Sequence, residues 1–259
     1  MKRRSLAAII LISVLAAPVL GLYRFDFPPD LIGSKFYAET RLKKDGSFFG
    51  RSTTTFEKVN GKGGEHLVVN GKAEGTLNGK AFDSETVRDF ILENGRITSS
   101  SIKGKTVVSG EVSSEYSMDF DWQKMSAAVD FFDHQKNQHI SKTVPIGPDL
   151  VAVQELDLYL CSLPARNARD VKLKALLPNG QTFGFIFKLA ERPETLTIDG
   201  GQMVCRKIEL KPDLGLISVF IPSVYYWVKD EPPYLLVRFS GMIGGPGSPD
   251  VIQDIKQLK

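Results

Sequence analysis

Turn dipeptides recur along most of the chain, and they constrain the fold more than any other feature. Asn-Gly or Asp-Gly stands at positions 45–46, 60–61, 70–71, 78–79, 94–95, 179–180 and 199–200. Asn and Asp tolerate a positive φ angle and Gly prefers one, so these pairs suit the tight turns of β-hairpins. The spacing therefore predicts a meander of antiparallel strands.

Between the turns, apolar and polar residues alternate with a period of two, which is typical of strands with one buried face. The aromatic members of two such faces are Tyr116, Phe120 and Trp122 in "YSMDFDW", and Phe183, Phe185 and Phe187 in "FGFIFKL". We predict a mainly β fold, an antiparallel meander that forms a curved sheet or half-open barrel with one helix packed against it.

The segment "PDLVAVQELDLYLCSL" contains no turn dipeptide and is the candidate helix. Its leucines and Val153 follow near-helical spacing, and Asp149 stands where an N-cap would. We predict a helix over residues 150–162 between an N-terminal meander, residues 33–145, and a C-terminal meander, residues 165–241. A Gly/Pro tail follows over residues 242–259, and its positions 249–258 suit a short helix. We expect one continuous sheet in a single domain, residues 22–259.

The N-terminus, residues 1–21, has the layout of a secretory signal peptide. Lys2, Arg3 and Arg4 precede an apolar run and then small residues. The alternative is an uncleaved anchor that associates with the membrane, because the apolar stretch approaches the minimum of about 17 residues for a span. Both interpretations place the folded part outside the cytoplasm, in the periplasm or elsewhere in the cell envelope.

Charge and motifs exclude several classes of function. The net charge is +3, and the signal segment itself carries three cations, so the remainder lacks the basic stripe that nucleic acid requires. Phosphate-loop glycines and a GxSxG nucleophile elbow are absent from the sequence. His134 and His139 stand near two aspartates, but their spacing suits neither a helical nor a strand metal site. We expect no enzyme activity, cofactor or metal.

The two cysteines, Cys161 and Cys205, are a candidate disulfide, since an exported protein meets an oxidising compartment. The alternative is a pair of unbonded thiols, each buried as a small apolar side chain. The sequence alone leaves both open.

The segment "VYYWVKDEPPYLLVRFSG", residues 224–241, is predicted to be the hairpin that closes the sheet. Its Pro-Pro pair lacks the amides that a strand ladder needs and so belongs to the turn. We expect Arg238 to stack on Trp227 or Tyr225 across the strand pair. Tyr226, Trp227 and Arg238 are also candidates for the rim of a cavity.

The C-terminal half, about residues 145–250, resembles an uncharacterised family of bacterial envelope proteins that carries a domain of unknown function. The likeness consists of a helix, a hairpin, a strand with Trp227, a polar turn at 230–233 and an apolar strand with Arg238. That family resembles, at the level of the fold, the lipoprotein-carrier superfamily of LolA and LolB. Those proteins are incomplete β-barrels that hold acyl chains, and the resemblance implies such a fold here.

Two functions follow from these observations. In the first, the aromatic faces line a cavity that binds a lipid or acyl chain, and the candidate ligand-binding residues are Tyr116, Phe120, Trp122, Phe183, Phe185, Phe187, Tyr226, Trp227 and Arg238. In the second, the same faces form a solid core, and the protein is a structural or adaptor component whose partner is another envelope protein.

Overall fold

A computed structural model describes residues 24–61, 63–77, 79–164, 169–214, 221–243 and 248–258. The predicted signal peptide or anchor, residues 1–21, lies outside these ranges. Among the described residues, no helix has the length and apolar character needed to cross a membrane. The described part of the chain is mainly β, as predicted.

The N-terminal half is a meander of long strands that follow one another by hairpins. A 3-10 turn, Pro29–Leu31, lies between the first two strands. The strands are β1 (Arg24–Asp26), β2 (Lys35–Leu42), β3 (Phe48–Gly61), β4 (Gly64–Leu77), β5 (Lys80–Glu93), β6 (Arg96–Val108), β7 (Glu111–Asp121), β8 (Ser126–Asp133) and β9 (Gln138–Pro145). From β2 to β9 each strand pairs antiparallel with the next, and β1 pairs with the first residues of β6.

Several turn dipeptides lie in turns as predicted, but the prediction for Asn70-Gly71 is wrong. This pair lies inside β4, where Asn70 is opposite Thr55 and Val87. Asn94 and Gly95 link β5 to β6 with φ angles of 51° and 74°, so both adopt the left-handed conformation that such a hairpin turn requires. Asp199 and Gly200 repeat this conformation in the second half of the chain, with φ angles of 53° and 79°. The sequence pattern therefore identified these two turns, because their residues are of the types that adopt positive φ angles.

The C-terminal half extends the same sheet. Its strands are β10 (Leu150–Ala152), β11 (Asp170–Leu176), β12 (Thr182–Leu189), β13 (Glu194–Ile198), β14 (Gly201–Pro212), β15 (Val224–Lys229), β16 (Leu236–Met242) and β17 (Asp250–Leu258). Strand β14 pairs with β13 along its first residues and with β12 along its last. The remaining neighbours from β14 to β17 are antiparallel pairs.

The end of the predicted Gly/Pro tail is a strand, and the expectation of a short helix there is wrong. Strand β17 lies between β16 and β2, and its register with β2 runs from Val251 opposite Leu42 to Leu258 opposite Lys35. This pairing joins the two meanders into one continuous sheet. The strand forms because β2 offers it a partner from the opposite end of the chain.

The predicted helix over 150–162 begins later than expected. Residues Leu150–Ala152 form β10, which pairs parallel with β11, and the carbonyl of Asp149 accepts a hydrogen bond from the Lys174 amide at 2.8 Å. Asp149 therefore directly precedes β10 and is not an N-cap. A 3-10 turn, Val153–Glu155, leads into the helix α1 (Leu156–Ser162). All three residues of β10 are buried, which favours a strand in the interior.

The sheet curves around α1 without closing into a barrel. The main core lies between α1 and the strands of both meanders, and its largest buried side chains include Tyr159, Phe90 and Phe187. A second core joins the two ends of the sheet, because Val144 of β9 packs in one cluster with Leu150 of β10. No backbone pairing joins β9 to β10 among the described residues. The predicted curved sheet with one packed helix is thus confirmed.

Candidate ligand-binding cavity

A cavity of about 890 Å³ lies inside the curved sheet beside α1, and we call it the large cavity. Its walls come from β2 to β5 on one side and from β12 and β14 to β17 on the other. The volume falls in the range of about 300–1,000 Å³ that is typical of small-molecule sites. Side chains therefore do not fill the whole interior of the curved sheet.

The C-terminal wall of the large cavity is aromatic and aliphatic. It consists of Leu177, Phe183, Phe185, Leu210, Val224, Tyr226, Leu236, Phe239, Met242, Ile243 and Val251. The rings of Tyr226 and Phe239 contact each other at 5.2 Å between centroids. Phe183 and Ile243 are 43% and 49% exposed although both line the cavity, so the apolar wall reaches its mouth.

Part of the opposite wall is lined by small side chains, which leaves space open there. Ser52, Ala73 and Ser84 line the cavity and are successive register partners across β3, β4 and β5. Because register partners share a face, this row of small residues leaves a trough across the wall. Larger side chains at these positions would fill the interior with core.

Two aromatic rings and two glycines close one part of the N-terminal wall. Phe49 and Phe82 both line the cavity with 6.1 Å between their ring centroids. Gly50 and Gly75 are register partners beside them, and a Cβ atom on Gly75 would lie 2.4 Å from the Phe49 carbonyl oxygen. The backbones therefore approach closely at this point, and an alanine at Gly75 would force them apart.

Two polar residues of the cavity, Gln154 and Asp157, lie around the start of α1. The Arg88 guanidinium donates from Nη1 to the Gln154 carbonyl and to Asp157 Oδ1, both at 2.6 Å. Arg88 is 5% exposed, whereas the Asp157 side chain is 38% exposed and faces the cavity. Elsewhere on the wall Arg51 pairs with Glu74, and the Gln253 amide donates to Thr40 at 3.0 Å. The cavity is thus mainly apolar with a few fixed polar groups.

Glu155 is a buried acid next to this polar group, with 1% exposure. Burial raises the pKa of its carboxyl to about 7, while a hydrogen bond with Ser99 and the charge of Arg88 oppose the rise. Its Oε1 has no hydrogen-bond partner among the described residues. Glu155 is not part of the cavity lining, so this acid does not contact a ligand in the large cavity.

The structure distributes the predicted ligand-binding residues over three environments. Phe183, Phe185 and Tyr226 line the large cavity, as the cavity hypothesis requires. Phe187 is 1% exposed and packs on Tyr159 of α1 with centroids 6.2 Å apart, so it is part of the core. The remaining members of the set lie outside the lining of this cavity.

Tyr116 and Phe120 of β7, and Trp122 just after it, pack against the second core. Phe120 and Trp122 stack on each other at 5.9 Å, and the Trp122 indole donates to the Ser99 carbonyl at 2.7 Å. Tyr116 covers Gly104 of β6, where a Cβ would lie 2.3 Å from its ring. These three side chains therefore pack outside the large cavity, against the second core and β6.

Trp227 and Arg238 lie away from the large cavity, and the expected stacking between them is wrong. Arg238 forms a bidentate pair with Asp254 of β17, with Nη2 to Oδ2 at 2.9 Å, and Trp227 donates to Glu194. The cation over the aromatic rings is Lys207, whose Nζ lies 4.0 Å from the Tyr225 centroid. Asp254 is the stronger partner for Arg238 because the pair is bidentate, and it lies on β17, a strand that the sequence pattern did not predict.

Cys161 and Cys205 are both free, so the predicted disulfide is not present. Cys161 lies on α1 in an apolar cleft formed with Leu235 and Leu236 of the β15–β16 hairpin. Cys205 is buried in β14, and its thiol donates to the Met203 carbonyl at 3.6 Å. The helix and β14 thus present the two sulfur atoms to different partners.

An open groove of about 540 Å³ lies across β5 to β9, away from the large cavity, and includes His134 and His139. His134 pairs with Glu115 and His139 with Asp130, each with a shortest N···O distance of 3.1 Å. Within the described ranges, no group of three or more His, Cys, Asp or Glu is arranged to hold a metal. Each histidine is therefore occupied by a carboxylate of a neighbouring strand.

Comparisons with known proteins place this chain in no family. No family model matches it, and neither does any curated protein. A solved structure with some likeness is a porin-like protein from Bacteroides uniformis ATCC 8492, at 8% identity and a TM-score of 0.25. The likeness covers 90% of this chain and 99% of the other, and at that TM-score we draw no argument from it.

Proposed function

We propose that this protein binds a hydrophobic ligand, a lipid or an acyl chain, in the large cavity, and that it does so without catalysis in the cell envelope. The observation that carries the proposal is the cavity of about 890 Å³ with its aromatic and aliphatic wall. Concave, mostly apolar sites with few polar groups are the usual form of small-molecule sites. The N-terminal signal pattern and the resemblance to lipoprotein carriers support the location and the ligand class.

The energetics favour a long chain over a small apolar molecule. Each methylene removed from water contributes about 0.8 kcal/mol, so ten carbons contribute on the order of 8 kcal/mol before the cost of association. That cost is about 4 kcal/mol or more. We therefore expect measurable binding to require a chain of about ten carbons or longer.

Native mass spectrometry after expression in a bacterial periplasm tests the proposal. The expected result is excess mass over the mature chain, together with release of lipid on denaturing extraction. If no excess mass appears, no lipid is extracted and apolar dyes fail to bind, the proposal is overturned. Crosslinking in cells to one defined envelope protein would then favour the adaptor function.

A further inference from the structure

Three spaces meet at one carboxylate inside the curved sheet. Asp157 lines the large cavity, a helix cleft of about 220 Å³ that includes Cys161, and a second cleft of about 220 Å³ that includes Arg88. The side chain lies in the first turn of α1. Asp157 is therefore within reach of a ligand in any of the three spaces.

The two oxygens of Asp157 differ in their partners. Oδ1 accepts hydrogen bonds from Arg88 Nη1 at 2.6 Å and from its neighbour Leu158 N at 2.9 Å. Oδ2 has no hydrogen-bond partner in the described part of the chain. Since the side chain is 38% exposed while Arg88 is 5% exposed, an arriving head group meets the carboxylate and not the guanidinium.

Arg88 holds Oδ1 of this carboxylate, and the other polar groups of the large cavity that could donate to Oδ2 have partners of their own. Arg51 is engaged by Glu74, and Gln253 already donates to Thr40. Burial raises the pKa of the Tyr226 hydroxyl, and the negative charge of nearby Asp157 raises it further. An anionic head group would meet a carboxylate in a partly desolvated space, where like charges repel strongly.

We infer that the ligand is an amphiphile whose head group donates a hydrogen bond to Asp157 Oδ2, with its alkyl part in the large cavity. The inference rests on the proposed function and specifies its ligand class. A hydroxyl or a primary ammonium meets this requirement, whereas a carboxylate or phosphate head does not. The preference comes from hydrogen bonding to a charged acceptor, which is stronger than hydrogen bonding between neutral groups.

Competition against an apolar dye tests this head-group preference. N-phenyl-1-naphthylamine is bound to the wild-type protein and displaced with 1-decylamine, 1-decanol or decanoate, which share a chain length and differ in the head group. We expect the amine or the alcohol to displace dye at a concentration at least about ten-fold lower than decanoate. Comparison of 1-decylamine with 1-decanol shows whether the protein recognises the positive charge of the head group or its ability to donate a hydrogen bond.

The variant Asp157→Asn should lower the affinity for the donor head by about ten-fold and narrow its advantage over decanoate. Asp26→Asn is the matched control, because Asp26 pairs with Arg96 at 3.1 Å on an exposed strand end outside the large cavity. The wild-type comparison of the amine with decanoate, whose head groups are both charged, needs no variant and still tests the preference if Asp157→Asn does not fold. Equal or tighter binding of decanoate overturns the head-group inference, whereas failure of dye and all three chains to bind overturns the proposed function.

Discussion

Phe185 and Phe187 lie two positions apart on one face of β12 and have different surroundings. Phe187 packs on Tyr159 of α1 with 1% exposure, while Phe185 is partly exposed and lines the large cavity. Helix α1 is short, so it covers one part of the curved sheet and leaves the other part open. The boundary between core and cavity therefore runs between these two side chains.

Alanine substitutions at the two positions should separate stability from ligand binding. Phe187→Ala removes a fully buried ring and should lower the free energy of unfolding by about 3–5 kcal/mol. Phe185→Ala should lower it by roughly 1 kcal/mol and weaken dye binding, since the ring faces a cavity. Urea denaturation and dye titration measure both effects, and equal destabilisation by the two variants would contradict the boundary.

Glu155 should make the protein less stable as the pH rises. Its folded-state pKa, raised to about 7 by burial, lies above the ordinary 4.5. The contribution of the protonated Glu155 carboxyl to the free energy of unfolding is therefore fully present below pH 4.5. It is lost as the pH rises through about 7, and the loss is on the order of 3 kcal/mol. Glu155→Gln should match the wild type near pH 4.5 and exceed it at pH 8, measured by urea denaturation. A variant less stable than the wild type at pH 8 would refute this.

The pair of Arg238 with Asp254 should contribute to the attachment of β17. A double-mutant cycle with Arg238→Ala and Asp254→Ala should give a coupling energy of about 1 kcal/mol, because the pair is bidentate but partly exposed. The same cycle with Arg238→Ala and Trp227→Ala should give a much smaller value. Stronger coupling to Trp227 than to Asp254 would show that the cation stacks on the indole instead.

The two free thiols should resist alkylation in the folded protein. Burial raises the pKa of Cys161 to about 12, and burial also raises the pKa of Cys205. Because the thiolate is the reactive form, iodoacetamide at pH 8 should label the folded chain slowly and both cysteines after unfolding in guanidinium. Absence of free thiols in the unfolded, unreduced protein would establish the disulfide that the structure lacks.

Local patterns predicted hairpins because Asn, Asp and Gly adopt the positive φ angles that a tight hairpin turn needs. Asn94 and Gly95 have the positive φ angles that their sequence suggests. The segment at 150–162 was harder, since a buried strand and a short helix follow each other there and the apolar spacing fits a single helix. The boundary at Leu156 depends on the pairing of Leu150 with Lys174, which local periodicity does not contain.

The cavity depended on register between distant strands. Ser52, Ala73 and Ser84 are unremarkable small residues in the sequence, and only their alignment across β3, β4 and β5 shows a trough. The aromatic residues of the opposite wall were recognisable as one face of a strand. Such a face lines a cavity or a packed core depending on the side chains of the opposite wall. A period-two pattern describes one face of a single strand and not the wall across from it.

Filling the trough tests the central claim most directly. Ala73→Trp places a large ring inside the large cavity, and Thr195→Trp places the same ring on an exposed position of β13 outside its lining. In titrations with N-phenyl-1-naphthylamine, the wild type and Thr195→Trp should bind the dye alike, while Ala73→Trp should bind at least about ten-fold more weakly. Unchanged dye affinity in a folded Ala73→Trp variant would contradict ligand binding in the large cavity.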